Sequence, residues 1–227
     1  MLLSKRLQCI ADYIRPGDRI ADVGTDHAYI PIWQLLNHPN ATVIATDIRS
    51  GPLERARADA ERHGVSDRLT LLLCDGLALC EPHSVDTVIL AGMGGETMIG
   101  ILETAAWTRE KRLILQPQTK QSELRAWLAT HGYGIVDASL VHDNGRIYLV
   151  WLVTAGEMPP FHGVEDALLQ KRDALLKPYL EEQIKRLRRQ LNGVAHALRD
   201  EEGIEEKLRT ELDELEAVYQ EVKTWQA

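Results

Sequence analysis

The stretch ADVGTDHAYIPI, residues 21–32, decides the fold. Small and apolar residues lead through Asp22 to Gly24, as a buried strand does when it runs into the first turn of a nucleotide-binding α/β domain. A loop built to cradle phosphates continues to a second glycine. This one places Asp26 and His27 there instead. A carboxylate at that position repels a pyrophosphate, so the loop asks for a different ligand.

Outward from this turn the chain alternates between two periods. Leu3, Leu7, Ile10 and Ile14 predict an N-terminal helix capped by Ser4 and broken at Arg15-Pro16-Gly17-Asp18. A strand over 19–23 and a helix over about 28–36 follow. The strand at 41–47 ends in Asp47, the helix at 51–64 is closed by Gly64, and a third strand from Leu69 ends at Asp75. A fourth strand, 85–92, runs into Gly92-Met93-Gly94-Gly95 and a helix from about Glu96 to Thr104. A fifth strand, 111–117, and a helix over 120–132 stopped by Gly132 complete the series. Such alternation specifies a parallel sheet with crossover helices on both faces. The order then changes: residues 133–153 read as two strands joined by Asn144-Gly145, a strong hairpin signal.

Composition shifts again beyond the double proline of 154–163. Leu180, Ile184, Leu187, Leu191, Val194 and Leu198 make a seven-residue seam, and Ile204, Leu208, Leu212, Leu215 and Tyr219 a second stripe. Two such helices joined by a polar turn predict an antiparallel, coiled-coil-like hairpin, each arm on the order of 30 Å long. The expected division is an α/β domain over 1–156 and a helical domain over 163–227.

The chain has 227 residues, enough for an α/β domain and an appendage, and its shares of 44% hydrophobic and 26% charged residues are those of an ordinary globular protein. Its apolar runs are strand-length, which predicts no membrane span, and the N-terminus is not a signal-peptide pattern. Three scattered cysteines, Cys9, Cys74 and Cys80, suit reduced thiols in a cytoplasmic protein and predict no metal site. A net charge of −8 argues against a general nucleic-acid coat protein, so any contact with RNA needs a local basic patch.

Three acids stand in register at consecutive strand ends: Asp22 with Gly24, Asp47 and Asp75. Ligands of doubly wound sheets bind at those ends. An acid after the second strand takes both hydroxyls of a ribose, and a polar residue after the third holds an adenine edge. With ribose and adenine provided for but pyrophosphate excluded, S-adenosylmethionine fits better than NAD, because its sulfonium and ammonium groups tolerate a nearby carboxylate.

The motifs LSKRL, DVGTDHAYIP, TDIRSGPL, CDGL, AGMGGE and RLILQP, in this order from about Leu3 to Val153, resemble those of the bacterial TrmK family, tRNA adenine-N1 methyltransferases acting at tRNA position 22. The resemblance implies a class I methyltransferase with a Rossmann-like open sheet, S-adenosylmethionine as cofactor, tRNA as substrate and a helical C-terminal extension. Within these motifs Asp22, Gly24, Asp47, Ile48, Asp75, Gly76, Ala91 and Gly92 form the expected cofactor set. Asp26, His27 and Tyr29 form the expected catalytic set, and Arg6, Gln116 and Pro117 face the substrate.

The N1 atom of adenine keeps an in-plane lone pair, so it attacks a sulfonium methyl without losing a proton, and the product ring is cationic. Enzymes that methylate an exocyclic amine often carry an Asn/Asp-Pro-Pro-aromatic motif after the fourth strand, where this chain has AGMGG. Asp26 then either accepts the adenine amine or holds the cofactor's ammonium, while His27 and Tyr29 stack on or position the base. In the tail, Lys185, Arg186, Arg188 and Arg189 fall within five residues and predict a stripe for the tRNA backbone. The bland alternative is pairing with the acids of the second arm. Two other functions compete: a nicotinamide dehydrogenase, for which the pair Tyr219 and Lys223 lies far from any cofactor loop, and a non-catalytic interaction module. Methylation of another RNA base is a third. A monomer is the expected state.

Overall fold

The structure is a computed structural model that describes residues 1–159, 164–194 and 203–226. It divides into two compact units, Met1–Met158 and Pro159–Ala227.

The first unit opens with α1 (Lys5–Ala11), whose cap Ser4 accepts a hydrogen bond from the Leu7 amide, then β1 (Ile20–Val23) and α2 (Tyr29–Asn37). There follow β2 (Val43–Asp47), α3 (Ser50–Arg62), β3 (Leu69–Leu73) and β4 (Thr87–Met93). The series continues with α4 (Gly95–Thr104), β5 (Arg112–Pro117), α5 (Gln121–Thr130), β6 (Tyr133–Asp143) and β7 (Arg146–Ala155). The strands form one sheet in the order β3-β2-β1-β4-β5-β7-β6. β1 and β2 are buried along their whole length, which is why neither alternates apolar with polar residues, Asp22, Thr46 and Asp47 being their only polar positions.

β1 pairs in parallel with β2 on one side and with β4 on the other. The strand order reverses at β1, so the carboxyl ends of β1 and β4 flank the switch point at which ligands of such sheets bind. The Asn144-Gly145 turn has both residues at positive φ, 48° and 75°, as a type I′ hairpin requires, and folds β7 back antiparallel between β5 and β6.

Two strand ends depart from expectation. β3 stops at Leu73, and Asp75 lies in the exposed turn beyond it, because Gly76 at φ 53° bends the chain. That turn is fixed to β2 by the buried Thr46 hydroxyl, which donates to the Gly76 carbonyl at 2.8 Å. β4 runs on through Gly92 to Met93, with a register slip against β5 where Gly92 adopts φ 79°.

The second unit holds α6 (Asp166–Gln170), α7 (Leu176–Val194) and α8 (Ile204–Lys223). The short α6 was not legible in the sequence. Arg188 reaches Glu216 and Glu181 reaches Tyr219, so positions climb on α7 as they fall on α8 and the two helices run antiparallel. The buried face uses Leu176, Tyr179, Leu180, Ile184 and Leu187 on α7, and Leu215, Val218 and Val222 on α8. Of the expected second stripe Leu215 is buried and Leu208, Leu212 and Tyr219 are half-buried, and Val218 and Val222 join the buried face. Ile204 is exposed, and Tyr219 is half-buried because its hydroxyl donates to Glu181. Leu198 and residues 200–202 of the expected turn lie outside the described residues. Among the described residues no helix is long and apolar enough to cross a membrane.

Candidate active site

The carboxyl ends of β1, β2 and β4 and the turn after β3 enclose a cavity of about 400 Å³, within the ~300–1,000 Å³ range of small-molecule sites. Gly24 forms its floor at φ 73°, a conformation that favours glycine, and a Cβ there would meet only the movable Met93 methyl, at 2.9 Å. Asp47 is buried at the end of β2, and its Oδ1 accepts the Arg49 amide at 2.8 Å, leaving Oδ2 for a ligand. Ile48, next in the chain, is an exposed aliphatic side chain on the cavity wall. Asp75 and Gly76 close the side toward β3, and Ala91 and Gly92 the side toward β4. A Cβ on Gly76 would meet Ile101 at 3.0 Å.

Asp22 lies beneath this wall and is itself buried. Desolvation pushes its carboxyl up to about 6, against the opposing bond from the Thr25 side chain. A buried acid in this position is not a solubilising surface charge.

The cavity gathers all of the expected cofactor set except Asp22, which stands one layer back. It also includes residues not expected from sequence: Thr46, Arg49, Met93, Thr97 and Ile101. Thr97 and Ile101 lie four apart on α4, so the helical period of the segment after the glycine turn was the available signal.

The expected catalytic trio stands apart from the cavity wall. Asp26 is an exposed carboxylate, its side chain 68% accessible, and it is paired with the guanidinium of Arg55 on α3. His27 donates or accepts at Nδ1 with Asp59 Oδ2 at 2.7 Å and stacks flat on Tyr29, centroids 5.1 Å apart and planes within 4°. Tyr29 is 44% exposed, too open for a core aromatic. The cap of α2 is Ala28, in the left-handed region without a capping side chain, so His27 does not cap that helix.

On the β5 side, Arg6 of α1 donates from Nη1 to Gln116 Oε1 at 2.9 Å and lies over the Tyr148 ring. Gln116 is fully buried and Pro117 beside it is buried too. The Gln116 Nε2 has no hydrogen-bond partner among the described residues, an unspent donor at the carboxyl end of β5. The same Arg6 guanidinium would lie 3.7 Å from a Cβ on Gly92, so it borders the cavity's β4 wall. In the second unit Lys185, Arg186, Arg188 and Arg189 are all exposed on α7. Arg188 is paired across to Glu216 at 2.8 Å, as the bland reading expected for the stripe, and no ion pair of the other three occurs among the described residues.

A sheet of this order with an acid-lined nucleoside cavity at its switch point, and no phosphate-cradling loop, defines a Rossmann-like methyltransferase. The methyltransferase domain family model matches residues 3–151. The chain is 34% identical over 180 residues to the tRNA (adenine(22)-N(1))-methyltransferase of Bacillus subtilis, covering 78% of this chain and 74% of that one. A putative tRNA (m1A22) methyltransferase of Streptococcus pneumoniae, solved in complex with S-adenosyl-L-methionine, superimposes with a TM-score of 0.82 at 28% identity, over 96% of this chain and 100% of that one. The B. subtilis TrmK crystal structure gives 0.77 at 29%, over 98% of each chain. The chain belongs to the TrmK family of tRNA (adenine-N1)-methyltransferases.

Proposed function

We propose that this chain transfers a methyl group from S-adenosylmethionine to N1 of adenosine 22 of tRNA. The observation that carries the reading is the cavity itself: a buried aspartate with a free oxygen at the end of β2, a glycine floor, and a glycine turn after β4 in place of an amine-methylating motif.

The residues present fit the cofactor. Asp47 takes the ribose hydroxyls, Ile48 covers one face of the adenine, and Asp75 with the Gly76 turn meets its edge. Gly24, Ala91 and Gly92 leave room for the methionine end, and Asp22 places negative charge beneath it. When bound, S-adenosylmethionine supplies an electrophilic methyl group on a cationic sulfur. No base has to remove a proton from adenine N1, so the task of the chain is alignment and a negative or accepting group near the ring as it becomes cationic. Tyr29 offers a ring face for the base, and His27, stacked flat on that ring, meets the base at its edge. The Asp26–Arg55 pair is exposed, and such pairs contribute only about 0–1 kcal/mol, so Asp26 is free to exchange Arg55 for the substrate at little cost. Arg6, Gln116 and Pro117 bound the base on the β5 side. N1 is occupied in Watson–Crick pairing, so the target must be unpaired or flipped out.

In this reading residues 1–156 bind cofactor and base, and residues 163–227 hold the RNA through Lys185, Arg186, Arg188 and Arg189. The enzyme works as a monomer in the cytoplasm, where its substrate resides. Incubation with S-adenosylmethionine and bulk tRNA, followed by nucleoside mass spectrometry and primer extension, should show 1-methyladenosine at position 22. A folded protein that binds the cofactor yet leaves tRNA unmethylated would favour the interaction-module reading, and methylation at a different base would move the assignment to another RNA target.

A further inference from the structure

One buried charge outside the cavity has no task in this scheme. The inner stripe of α3 is Pro52, Leu53, Ala56, Asp59 and Ala60, and Asp59 is only 8% exposed. A helix fills such a position with an apolar side chain unless the carboxylate has partners. Asp59 has two: Oδ2 lies 2.7 Å from the His27 Nδ1, and Oδ1 accepts from Arg62 Nη1 at 2.5 Å. These contacts, the one with His27 first, hold its carboxyl below the usual carboxylate range, so it is an anion at neutral pH.

An ionised carboxylate only accepts hydrogen bonds. The proton of the neutral imidazole must therefore sit on Nδ1, and the lone pair on Nε2. Nε2 is 3.9 Å from Asp26 Oδ2, an ion pair only for the doubly protonated ring and beyond hydrogen-bond reach for the neutral one, whose lone pair is left unspent. The ring cannot turn freely to hide it, because Asp59 holds one edge and Tyr29 covers one face.

We propose that Asp59 is a positioning residue that fixes His27 as the Nδ1–H tautomer and so presents Nε2 as an acceptor for the exocyclic amine of the target adenine. The inference rests on the reading that His27 and Tyr29 receive the base. Adenine shows an acceptor at N1 flanked by the amine donor at N6, whereas guanine shows a donor at N1 and an acceptor at O6. An acceptor fixed at Nε2 pairs with the first pattern and repels the second. The opposite tautomer would prefer guanine. Asp59 thereby sets base choice without touching the substrate.

The test uses the full chain. Nitrogen-resolved NMR of the wild-type protein should show His27 as the Nδ1–H form; finding the Nε2–H form overturns the proposal without recourse to any variant. Asp59→Asn offers an amide N–H to Nδ1 and favours the wrong tautomer. It should lower kcat for tRNA methylation at least about tenfold, with cofactor affinity within about twofold of wild type. In a His27→Ala background the same substitution should cost nothing more, since its effect runs through the ring. An equal loss in both backgrounds would make Asp59 a structural support and refute the inference. Full activity of His27→Ala alone would sink the underlying reading of the base platform. An inactive His27→Ala with a fully active Asp59→Asn would sink only the role of Asp59.

Discussion

Asp47→Asn is the substitution that most directly probes how the cavity holds a nucleoside. The carboxylate is buried, and its Oδ1 is already engaged by the Arg49 amide at 2.8 Å, with the Arg49 Nε 3.8 Å away. A ribose diol donates two hydroxyl protons, and the ionised group has lone pairs for both as well as for the amide. Asparagine keeps one oxygen, which the Arg49 amide claims, and turns an NH2 donor toward hydroxyls that need an acceptor. The loss is one charge-assisted hydrogen bond, about 1.5–3 kcal/mol, or about 10- to 150-fold in Kd. The Arg49 turn keeps its acceptor, so unfolding free energy should change by less than about 1 kcal/mol. Titration calorimetry with S-adenosylmethionine reads the first quantity. Repeating it with S-adenosylhomocysteine lacking the 2′-hydroxyl closes a cycle: the analogue should bind worse to the wild type but no worse to the variant. A Kd within about twofold of wild type, or an analogue penalty that survives in the variant, would remove Asp47 from the ribose site.

Burial holds the Asp22 carboxyl up at about 6, above the ~3.9 of an exposed aspartate, so the fold binds that proton more tightly than the unfolded chain does. Stability from this group is present at low pH and lost as pH rises from about 4 to about 6, by roughly 2–3 kcal/mol. Urea unfolding across that window should show Asp22→Asn losing this slope, and an unchanged slope would refute the assignment. Gly95→Ala places a Cβ 2.3 Å from the Lys120 carbonyl oxygen, a backbone atom that no rotamer change can move, and should cost about 1–3 kcal/mol in a thermal melt. An unchanged melt would mean that the loops after β4 and β5 separate freely. Changing Lys185, Arg186, Arg188 and Arg189 together to Gln should weaken tRNA binding and lower the salt slope by about 0.7–0.9 for each phosphate that is no longer neutralised. Cofactor affinity should not move, and an unaltered salt slope would shift the RNA surface to Lys5, Arg6 and Arg146.

Most of the sheet was legible because burial imposes plain patterns on it. β1 and β2 are buried throughout and mostly apolar, Asn144-Gly145 permits one tight turn, and Asp47 closes its strand as expected. Periodicity does not reveal partners that are distant in sequence. The loop at 24–29 advertised Asp26 and His27, but nothing in it foretold that Arg55 and Asp59, both on α3, would engage them. The sequence did hold a clue in Asp59, an acid on an otherwise apolar helical stripe. The tail seam was legible on α7, where Leu180, Ile184 and Leu187 are buried as expected, and only in part on α8. The heptad spacing on α8 pointed to Tyr219, yet Val218 and Val222 fill the buried face, because a tyrosine hydroxyl needs a polar partner and finds it in Glu181 at 2.8 Å.

The acids around the first turn also bear on how one protein keeps two ligands apart. The proposed cofactor is cationic at its sulfur and carries an ammonium; the substrate is a polyanion, and so are the dinucleotides that similar sheets bind. Around the cavity stand Asp22, Asp47 and Asp75, with Asp26 in the same loop as Gly24. At an effective dielectric of ~20, each unit charge about 5 Å away contributes roughly 3 kcal/mol, repelling a phosphate and attracting a sulfonium. Two or three such charges outweigh the few kcal/mol that helix-terminus amides offer a phosphate. One cation, Arg49 after β2, lines the cavity beside Asp47, and others lie further out: Arg6 on α1 and Arg55 on α3, with Arg55 balanced by Asp26. A cavity whose acids outnumber its lining cation suits a cationic cofactor better than a phosphate, and on the proposed reading only an uncharged base needs to enter. A net charge of −8 is then compatible with an RNA substrate, because the sign of the local charge at each ligand, not the total, decides what binds where.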